Sequence, residues 1–453
     1  MGKGVVDEQQ ITHWVGDVTG GVVTRVERQA RWRPCWWVDV ERDGEPIPLY
    51  LRGNRVGFGA ANDVFREARA AEAMAVAGIP APRVWGQSTE LDVVLWDALP
   101  GVDNANVPEN ERPAARRAFA EVLARLHRAD ADLFVHTDRK RPVGARAIAT
   151  ADHDFWVRVW QTTQDRPEPL ITFVERWLTD TMPAAFEQVS PLQGDAGQFM
   201  WDGDRVTGLI DLEMVHLGDP HHDLAFMRMR DFSEPIGGVA DTYRWWAEAG
   251  GFDLDRKRVR WFGVMAAIET PQALSLATTM ALPPGDLAQY LTWYVQQQRC
   301  AIEILAEHDE IELDPPDLPT ESTALSGDAV RLANGWHATT SWLDQHHREL
   351  VDARSPDPDL ERQHRGAVAL VEWQHRCAVF GPSLDAATRA DVAAIDGAQV
   401  AGDAIVDRLA AVTTADLPHP DVVRALHRWI VRTEWLLEPV LGDATGNVLS
   451  PIA

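Results

Sequence analysis

One segment constrains this chain more than any other: residues 193–223, which read QGDAGQFMWDGDRVTGLIDLEMVHLGDPHHD. It places two carboxylates, Asp195 and Asp211, on either side of a predicted β-hairpin. The dipeptide Asp202-Gly203 is a strong tight-turn signal between an apolar run and a partly β-branched run. Because a hairpin returns the chain to its starting point, we expect Asp195 and Asp211 to lie close together.

Two neighbouring carboxylates favour one chemistry in particular. One acid can accept the proton of an attacking hydroxyl, while the other holds a Mg²⁺ ion that bridges nucleotide phosphates. The alternative is a surface hairpin with ordinary flanking acids. For the short motifs Gly194-Asp195 and Ile210-Asp211 taken alone, that alternative is the more common case. The longer pattern around them is far more specific.

The whole segment resembles the catalytic segment of the aminoglycoside phosphotransferase / choline kinase-like family. There, an H-G-D-x-x-x-x-N loop precedes a hairpin, an apolar-Ile-Asp-x-Glu strand end and x-G-D-P-x-x-D-L-A. Here, 209–213 reads LIDLE and 217–225 reads LGDPHHDLA. The resemblance covers about residues 20–310. It implies an α+β, two-lobed, protein-kinase-like fold with an antiparallel β small lobe and a mostly helical large lobe.

The first motif departs from the family pattern. Gln193 stands where the family has His, and the loop after Asp195 is two residues shorter. With that gap, Gln198 takes the place of the metal-binding Asn; without it Met200 does, and a thioether is a poor ligand for a hard cation. The gapped match predicts Asp211 and Gln198 as the Mg²⁺ ligands.

The resemblance also implies roles for the other acids of the segment. Asp195 would be the catalytic base that orients and deprotonates a substrate hydroxyl. Asp219 and Asp223 would be structural, with Asp223 bracing the catalytic loop by bonding its backbone.

The N-terminal region predicts a β-meander with one helix, as in the small lobe of kinase-like folds. The predicted strands are 22–28, 36–40, 47–51, 83–85 and 93–96, and the helix is 63–77. The first connection, residues 29–34, has no glycine and is not the Gly-rich loop of protein kinases. Its Arg31 and Arg33 could face nucleotide phosphates or solvent.

Four small-lobe residues are candidates for nucleotide binding. Arg52 stands where kinase-like folds carry a Lys that pairs with the phosphates and with a helix Glu, and Glu67 is its candidate partner. The segment DALPG at 97–101 resembles the family hinge. By resemblance, the Asp97 carbonyl and the Leu99 N–H would bond the adenine base.

Composition excludes several functions. The 453 residues carry a formal charge of −26, which argues against nucleic acid and against anionic membranes. Three distant cysteines indicate a reduced, cytoplasmic protein rather than a disulfide framework. No stretch approaches the apolar length of a membrane span.

Helical periodicity dominates after the hinge. Helices are predicted at 112–133, 155–161, 170–189, 238–250, 256–281 and 284–307, with a loop at 134–150. His127, in the first of them, is expected to be structural. Candidates for the wall of the pocket are Arg228, Arg230, Trp245, Trp246, Trp261 and Trp293.

The expected division is a small nucleotide-binding lobe at 1–97 and a large catalytic lobe at 98–310. A Pro/Asp-rich linker at 311–323 and a helical domain at 324–453 follow. Apolar periodicity in that domain predicts helices near 324–352, 359–380, 385–412 and 419–439. Three roles are open for it: capping the pocket, forming a homodimer contact or binding a partner.

The pattern as a whole predicts a phosphotransferase that moves the γ-phosphoryl group of ATP, or of GTP in its place, to a small-molecule alcohol with Mg²⁺. The alternative is a catalytically silent, kinase-like protein that binds a nucleotide or ligand, because Gln193, Gln198 and Arg52 are unusual. The acceptor is open: net acidity favours cations, while the 19 tryptophans favour aromatic or bulky apolar alcohols.

Overall fold

A computed structural model describes residues 7–29, 33–54, 63–137, 140–235, 237–319, 360–395, 405–415 and 417–452. Arg31 and the predicted helix 324–352 lie outside the described residues, as do the last residues of the predicted linker. The predicted two-lobed α+β architecture is confirmed: an antiparallel sheet forms one lobe and a large helical region forms the other.

The small lobe is built on a five-stranded antiparallel sheet in the order β1-β2-β3-β5-β4. Its strands are β1 Val22–Arg28, β2 Cys35–Arg42, β3 Glu45–Gly53, β4 Val84–Ser88 and β5 Val93–Asp97. Helix α1, Glu8–Thr19, begins with a capping box formed by Asp7 and Gln10. It buries Ile11 and Val15 against the alternating apolar face of β2 and β3.

Helix α2, Val64–Val76, packs its apolar face into the core that continues through the large lobe. Val64, Ala68, Ala71 and Met74 recur at helical spacing on that face and are fully buried. Glu67 lies on the same buried side and is 2% exposed. The helix therefore holds a carboxylate between the two lobes.

The large lobe is mostly helical. Its helices are α3 Arg112–Arg128, α4 Ala145–Ala149, α5 His153–Thr163, α6 Pro169–Asp180, α7 His221–Ser233, α8 Val239–Gly250, α9 Arg256–Leu274 and α10 Pro284–His308. Helix α9 is apolar on nearly every side, because it packs against α5, α6, α7 and α10 together.

Short strands carry the segment that the sequence singled out. They are β6 Val102–Asp103, β7 Ser190–Leu192, β8 Phe199–Trp201, β9 Val206–Leu209 and β10 His216–Gly218. Strands β8 and β9 form the predicted antiparallel hairpin, and β6 adds to its edge. Strand β7 pairs with β10, so the chain enters and leaves the hairpin at the same place.

Two predictions on this lobe were wrong. The predicted loop 134–150 contains the short helix α4, which buries Ile148 and Ala149 despite the basic residues around them. The helix predicted at 170–189 ends at Asp180, because Pro183 disfavours helical geometry in the residue before it. Strand β7, which follows, is too short to show an alternating pattern.

Three C-terminal helices complete the described chain: α11 Leu360–Ala393, α12 Ile405–Thr414 and α13 His419–Leu441. Helix α11 runs through Pro382, where the sequence predicted a break between two helices. Leu409, Leu426 and Ile430 belong to the same hydrophobic cluster as the large lobe. The division into separate domains and a homodimer contact through these helices stay predictions.

Within the described part of the chain, no helix is both long enough and apolar enough to cross a bilayer.

We predict that Gly101→Ala will destabilise the junction between the hinge and the hairpin. Gly101 has φ 97°, and a Cβ atom there would overlap the backbone carbonyl of Trp201. Strain plus overlap should lower the free energy of unfolding by about 2–5 kcal/mol. The matched control is Gly20→Ala, at φ 67° and ψ 21° in open space after α1, where strain alone should cost about 1 kcal/mol. Equal urea midpoints for the two variants would contradict this account.

Candidate active site

A cavity of about 800 Å³ lies between the sheet and the helices of the large lobe. Seven of the nine residues singled out by the sequence line it: Arg52, Glu67, Asp97, Leu99, Asp195, Gln198 and Asp211. Asp219 and Asp223 are not among the described residues that line it, and both are buried. The hairpin therefore brings Asp195 and Asp211 to one cavity, as its turn and spacing predict.

A chain of ion pairs crosses the wall of the cavity. Arg52 on β3 donates to Glu67 Oε1 at 2.8 Å and to Asp211 Oδ1 at 2.5 Å. Arg33 donates to Glu67 Oε2 at 3.3 Å and also to the carboxylate of Glu213. Burial would lower the pKa of Arg52, but Asp211 and Glu67 outweigh it and raise that pKa well above its ordinary value.

Of the two roles that the sequence left open for Arg33, exposure to solvent is wrong, because its side chain is 3% exposed and pairs with Glu67 and Glu213. Arg33 also lines the cavity, so a contact with nucleotide phosphates stays a prediction. Arg66 on α2 adds to this contact by donating to the backbone carbonyls of Glu213 and Val215. Three arginines therefore attach the small lobe and α2 to the segment after the hairpin.

Asp211 adopts a backbone conformation that is rare for a residue with a side chain. Its φ of 56° and ψ of 55° are left-handed, directly between β9 and the 3₁₀ turn Leu212–Met214. Such conformations persist where surrounding contacts enforce them, and they cluster at functional sites. The contact with Arg52 is one that holds the Asp211 carboxylate in the cavity.

Asp195 is held from two sides. Arg230 on α7 donates Nε to Asp195 Oδ1 at 3.1 Å and its terminal nitrogen to Oδ2. Gln198 donates Nε2 to Asp195 Oδ2 at 2.7 Å. Burial raises the pKa of Asp195 above its ordinary value, although the Arg230 guanidinium opposes that shift. The carboxylate is thus fixed in orientation beside the cavity.

The backbone before Asp195 is hydrogen-bonded to the Asp223 carboxylate. The N–H groups of Gln193 and Gly194 donate to Asp223 Oδ2 at 2.7 Å and to Oδ1 at 2.9 Å. His127 Nε2 lies 3.0 Å from Asp223 Oδ2, and Trp246 Nε1 donates to His127 Nδ1 at 2.9 Å. Burial alone would raise the pKa of Asp223, but these hydrogen bonds hold it below its ordinary value.

Asp219 lies just before the N-terminus of α7, the helix that carries Asp223, and has different partners. It accepts bonds from the backbone N–H of His221 at 2.9 Å and from Arg258 at 3.0 Å, and the His221 ring lies 2.7 Å away. Burial opposes these contacts, which nevertheless lower the pKa of Asp219. None of the three contacts involves the cavity, so the geometry of Asp219 is that of a buried helix-terminal acid.

Gln193, which stands where the resembled motif has His, fastens the loop to the hairpin. Its Nε2 donates to the Gln198 carbonyl at 2.7 Å and to the Ile210 carbonyl at 3.3 Å. The amide therefore links Gln198, which contacts Asp195, to Ile210, which precedes Asp211. The substitution keeps a donor at this position.

The hinge segment continues from β5 along the edge of the cavity. The Asp97 side chain accepts a bond from Trp85 Nε1 at 2.5 Å, and its backbone N–H donates to the Arg83 carbonyl at 2.9 Å. Leu99 also lines the cavity. The Asp97 side chain and N–H are thus used within the small lobe, and a hydrogen bond between the Asp97 carbonyl and adenine stays a prediction.

Hard oxygen ligands for a divalent cation are present at the end of the hairpin. No cluster of three or more His, Cys, Asp or Glu side chains suited to a metal occurs in the described ranges. A nucleotide-bound Mg²⁺ does not need one, because it takes one or two protein ligands together with phosphate oxygens and water. The Asp211 carboxylate and the Gln198 amide both line the cavity and fit that requirement.

The motif pattern and this geometry agree with a comparison against protein families. The model of the phosphotransferase enzyme family matches residues 33–262, which is half of the chain. The chain belongs to the phosphotransferase enzyme family. The matched range contains every site residue discussed so far in this phosphotransferase, whereas α10 and the C-terminal helices lie beyond it.

Solved structures similar to this phosphotransferase include three of known activity. Aminoglycoside phosphotransferase APH(4)-Ia is 15% identical, with 66% of this chain and 98% of that chain covered and a TM-score of 0.48. Macrolide 2'-phosphotransferase MphH from Brachybacterium faecium is 16% identical, with 67% of this chain and 98% of that chain covered and a TM-score of 0.46. Aminoglycoside phosphotransferase APH(3'')-Id from Streptomyces rimosus is 17% identical, with 58% of this chain and 99% of that chain covered and a TM-score of 0.42. A search of curated proteins gives no match.

Sequence reasoning named two arginines of the site without finding their partners. For Arg33 it left nucleotide phosphates and solvent open, because its partners are distant in sequence and a buried arginine near a hairpin tip is unusual. Arg230 was a candidate for the pocket wall, and Phe226, Met229, Arg230 and Ser233 recur at the spacing of one helical face. All four line the cavity.

We predict that Asp223→Asn will lower the free energy of unfolding by about 3–5 kcal/mol, because an amide cannot accept from two backbone N–H groups and His127 at once. The folded-state pKa of Asp223 lies below its unfolded value of about 3.9. Its stabilisation is therefore complete above that value and is lost as the pH falls through the folded pKa.

Urea unfolding at several pH values measures this. The difference between wild type and Asp223→Asn should be constant from about pH 5 to pH 8 and should shrink below about pH 4. A difference that grows as the pH falls would contradict the assignment of Asp223 as an ionised brace.

Proposed function

We propose that this protein is an ATP-dependent small-molecule kinase that transfers the γ-phosphoryl group to a hydroxyl. The observation that carries the proposal is the convergence of Asp195, Asp211 and Arg52 on one cavity between the lobes. Phosphoryl transfer needs mainly positioning and charge neutralisation, which such a constellation can supply. The acceptor partner is a small-molecule alcohol.

The small lobe would bind the nucleotide. The Asp97 carbonyl and the Leu99 N–H would bond adenine, or guanine if GTP is the donor. Arg52 would contact the phosphates, and Glu67 would orient its guanidinium through the 2.8 Å bond. An arginine can hold Glu67 and still present donors to phosphate oxygens, because its five N–H groups point in different directions within the guanidinium plane.

Asp211 and Gln198 would hold Mg²⁺. When bound, the ion neutralises charge on the transferred phosphoryl group. The Arg52 guanidinium next to Asp211 would hold that carboxylate in the cavity.

Asp195 would act as the base. The acceptor oxygen forms a bond to the γ-phosphorus, the bond from that phosphorus to the bridging oxygen breaks, and ADP leaves. The proton of the acceptor hydroxyl moves to the Asp195 carboxylate. A raised pKa suits this role, since a base close to the working pH accepts a proton more readily. Asp219 and Asp223 would support the loop without touching substrate.

We predict that Asp195→Asn will lower kcat by about 10²–10⁴-fold, because proton acceptance and the contacts with Arg230 are lost together. Binding of Mg·ATP should persist, and a nucleotide-dependent thermal shift measures it. The matched control is Asp202→Asn, a half-exposed acid at the turn of the same hairpin, which should keep wild-type turnover.

The outcomes separate the two readings of the family resemblance. Turnover by Asp195→Asn at the wild-type rate would remove the proposed base. Nucleotide binding without turnover in wild type, over a broad library of hydroxyl compounds, would favour the catalytically silent nucleotide-binding protein instead.

We predict that Arg52→Lys will raise the KM for ATP roughly tenfold or more. A single ammonium cannot reach Glu67 and Asp211 in the present geometry and also bind phosphate, and loss of a charged hydrogen bond typically costs about 1.5–3 kcal/mol. Arg25→Lys on β1, which changes an exposed ion pair, is the matched control and should leave KM unchanged. An unchanged KM in Arg52→Lys would take Arg52 out of the nucleotide site.

A further inference from the structure

The cavity extends past Asp195 into a second half that the nucleotide residues do not line. Helix α7 forms its near wall with Phe226, Met229, Arg230 and Ser233. Because Arg230 contacts Asp195, this wall adjoins the proposed base. The acceptor of the reaction would lie here.

Apolar and aromatic side chains make up most of the remaining wall. They come from α5, α9 and α10, and they are Trp156, Ala273, Leu274, Tyr290 and Trp293. Such surfaces favour flat or ring-shaped apolar groups, since aromatic side chains offer large contact area with little loss of conformational freedom.

Two buried oxygen atoms interrupt this apolar wall. Glu269 on α9 and Gln297 on α10 both line the cavity, and each residue is 2% exposed. Within the part of the chain that the structure describes, Glu269 Oε2 and Gln297 Oε1 have no hydrogen-bond partner. A buried acceptor without a donor is unfavourable, and a ligand that supplies the donor would remove that penalty.

Neither side chain is free to turn away from the cavity. Glu269 Oε1 lies 3.3 Å from His153 Nδ1, and Gln297 Nε2 donates to Ser233 Oγ at 2.6 Å. The partnered atom of each residue thus fixes the position of the unpartnered one. Of the other buried oxygen atoms without partners in the described residues, Gln193 Oε1 and Gln272 Oε1 belong to residues that are not among those lining the cavity. Among the nitrogen atoms without partners there, Arg52 Nε and Trp96 Nε1 do belong to cavity residues, but these lie in the small lobe.

A cluster of titratable groups lies behind the wall. His153 lies between Glu269 and Glu175, with Nε2 3.0 Å from Glu175 Oε1. Burial lowers the pKa of His153, but the two carboxylates outweigh it and raise that pKa to about 10. Burial raises the pKa of Glu269 to about 7. One imidazolium therefore faces two carboxyl groups, and further positive charge or a neutral donor can be accommodated.

Resting on the kinase activity proposed above, we propose that the acceptor is an alcohol on an apolar ring frame that carries a second hydrogen-bond donor. That donor is either an ammonium, which can donate to Glu269 Oε2 and Gln297 Oε1 together, or a hydroxyl, which donates its one proton to either of them. Both residues lie beyond the range of the family match. They would set the specificity of this chain rather than a property shared through the family motif.

Three single-ring alcohols that differ in one group test the proposal. They are trans-1,4-cyclohexanedimethanol, trans-4-(aminomethyl)cyclohexanemethanol and (4-methylcyclohexyl)methanol, with sorbitol and kanamycin as polar and polycationic comparisons. We expect ATP turnover with both donor-bearing rings at a KM about tenfold or more below that of the methyl compound. A lower KM for the amine identifies the second donor as an ammonium, and a lower KM for the diol identifies it as a hydroxyl.

Variants with matched controls test the two residues. Glu269→Gln and Gln297→Met should each raise the KM for the preferred ring probe about five- to tenfold, with the KM for ATP unchanged. Glu307→Gln alters a carboxylate on α10 that pairs with Arg228 and Arg260, and Gln298→Met alters a buried neighbour on the same helix. Neither is among the described cavity residues, and both should stay within about twofold of wild type.

The results distinguish failure of this inference from failure of the proposed function. Absence of a Mg·ATP thermal shift would overturn the kinase and the acceptor class together. Nucleotide binding with no turnover of any ring probe, preference for sorbitol or kanamycin, or equal KM values for the three rings would overturn the acceptor class alone. Equal effects of the cavity variants and their controls would remove Glu269 and Gln297 from the acceptor site.

Discussion

Two arginines, each of which bridges two carboxylates, join the small lobe to the segment after the hairpin. Arg52 joins Glu67 to Asp211, and Arg33 joins Glu67 to Glu213. Glu67 belongs to the helix that the small lobe shares with the main core, whereas Asp211 and Glu213 follow the hairpin of the large lobe. The network therefore couples the position of the proposed phosphate ligand to that of the proposed metal ligand.

Three of these five charged side chains, those of Arg33, Glu67 and Glu213, are buried, and the cost of burying them explains why the network must be complete. Removing a buried ion from water is unfavourable by several kcal/mol unless opposite charges and hydrogen bonds compensate it. Each carboxylate here meets at least one guanidinium, and Glu67 meets two. Drawing the lobes apart would break the pair between Arg33 and Glu213, so the network opposes that separation.

The parts of this structure that follow local rules were predictable from sequence. Alternating apolar residues and an Asp-Gly turn define the strands and the hairpin, and helical spacing placed Glu67 on the buried face of α2. Contacts that join distant segments were not predictable in the same way. Arg228 and Arg230 are two positions apart on α7, yet Arg230 meets Asp195 while Arg228 is buried and donates to Glu307 and to the Ser450 carbonyl.

The tryptophans illustrate the same limit. Trp246 and Trp261 were candidates for the pocket wall, but both are fully buried in the core of the large lobe, and Trp246 supports His127. Trp293 does line the cavity, together with Trp156. Composition can supply the side chains for an aromatic pocket, but the rotation of each helix decides which of them face it.

Two buried carboxylates, those of Asp223 and Glu269, differ in whether their oxygen atoms are all paired. Asp223 has both oxygens engaged, by two backbone N–H groups and His127, so it has no capacity left for a ligand and acts on the loop. Glu269 is buried to the same degree, but one of its oxygens has no partner among the described residues and its side chain lines the cavity. Folding alone favours complete pairing of buried polar atoms. An unpaired oxygen retained at the acceptor wall therefore argues that the missing donor comes with the substrate.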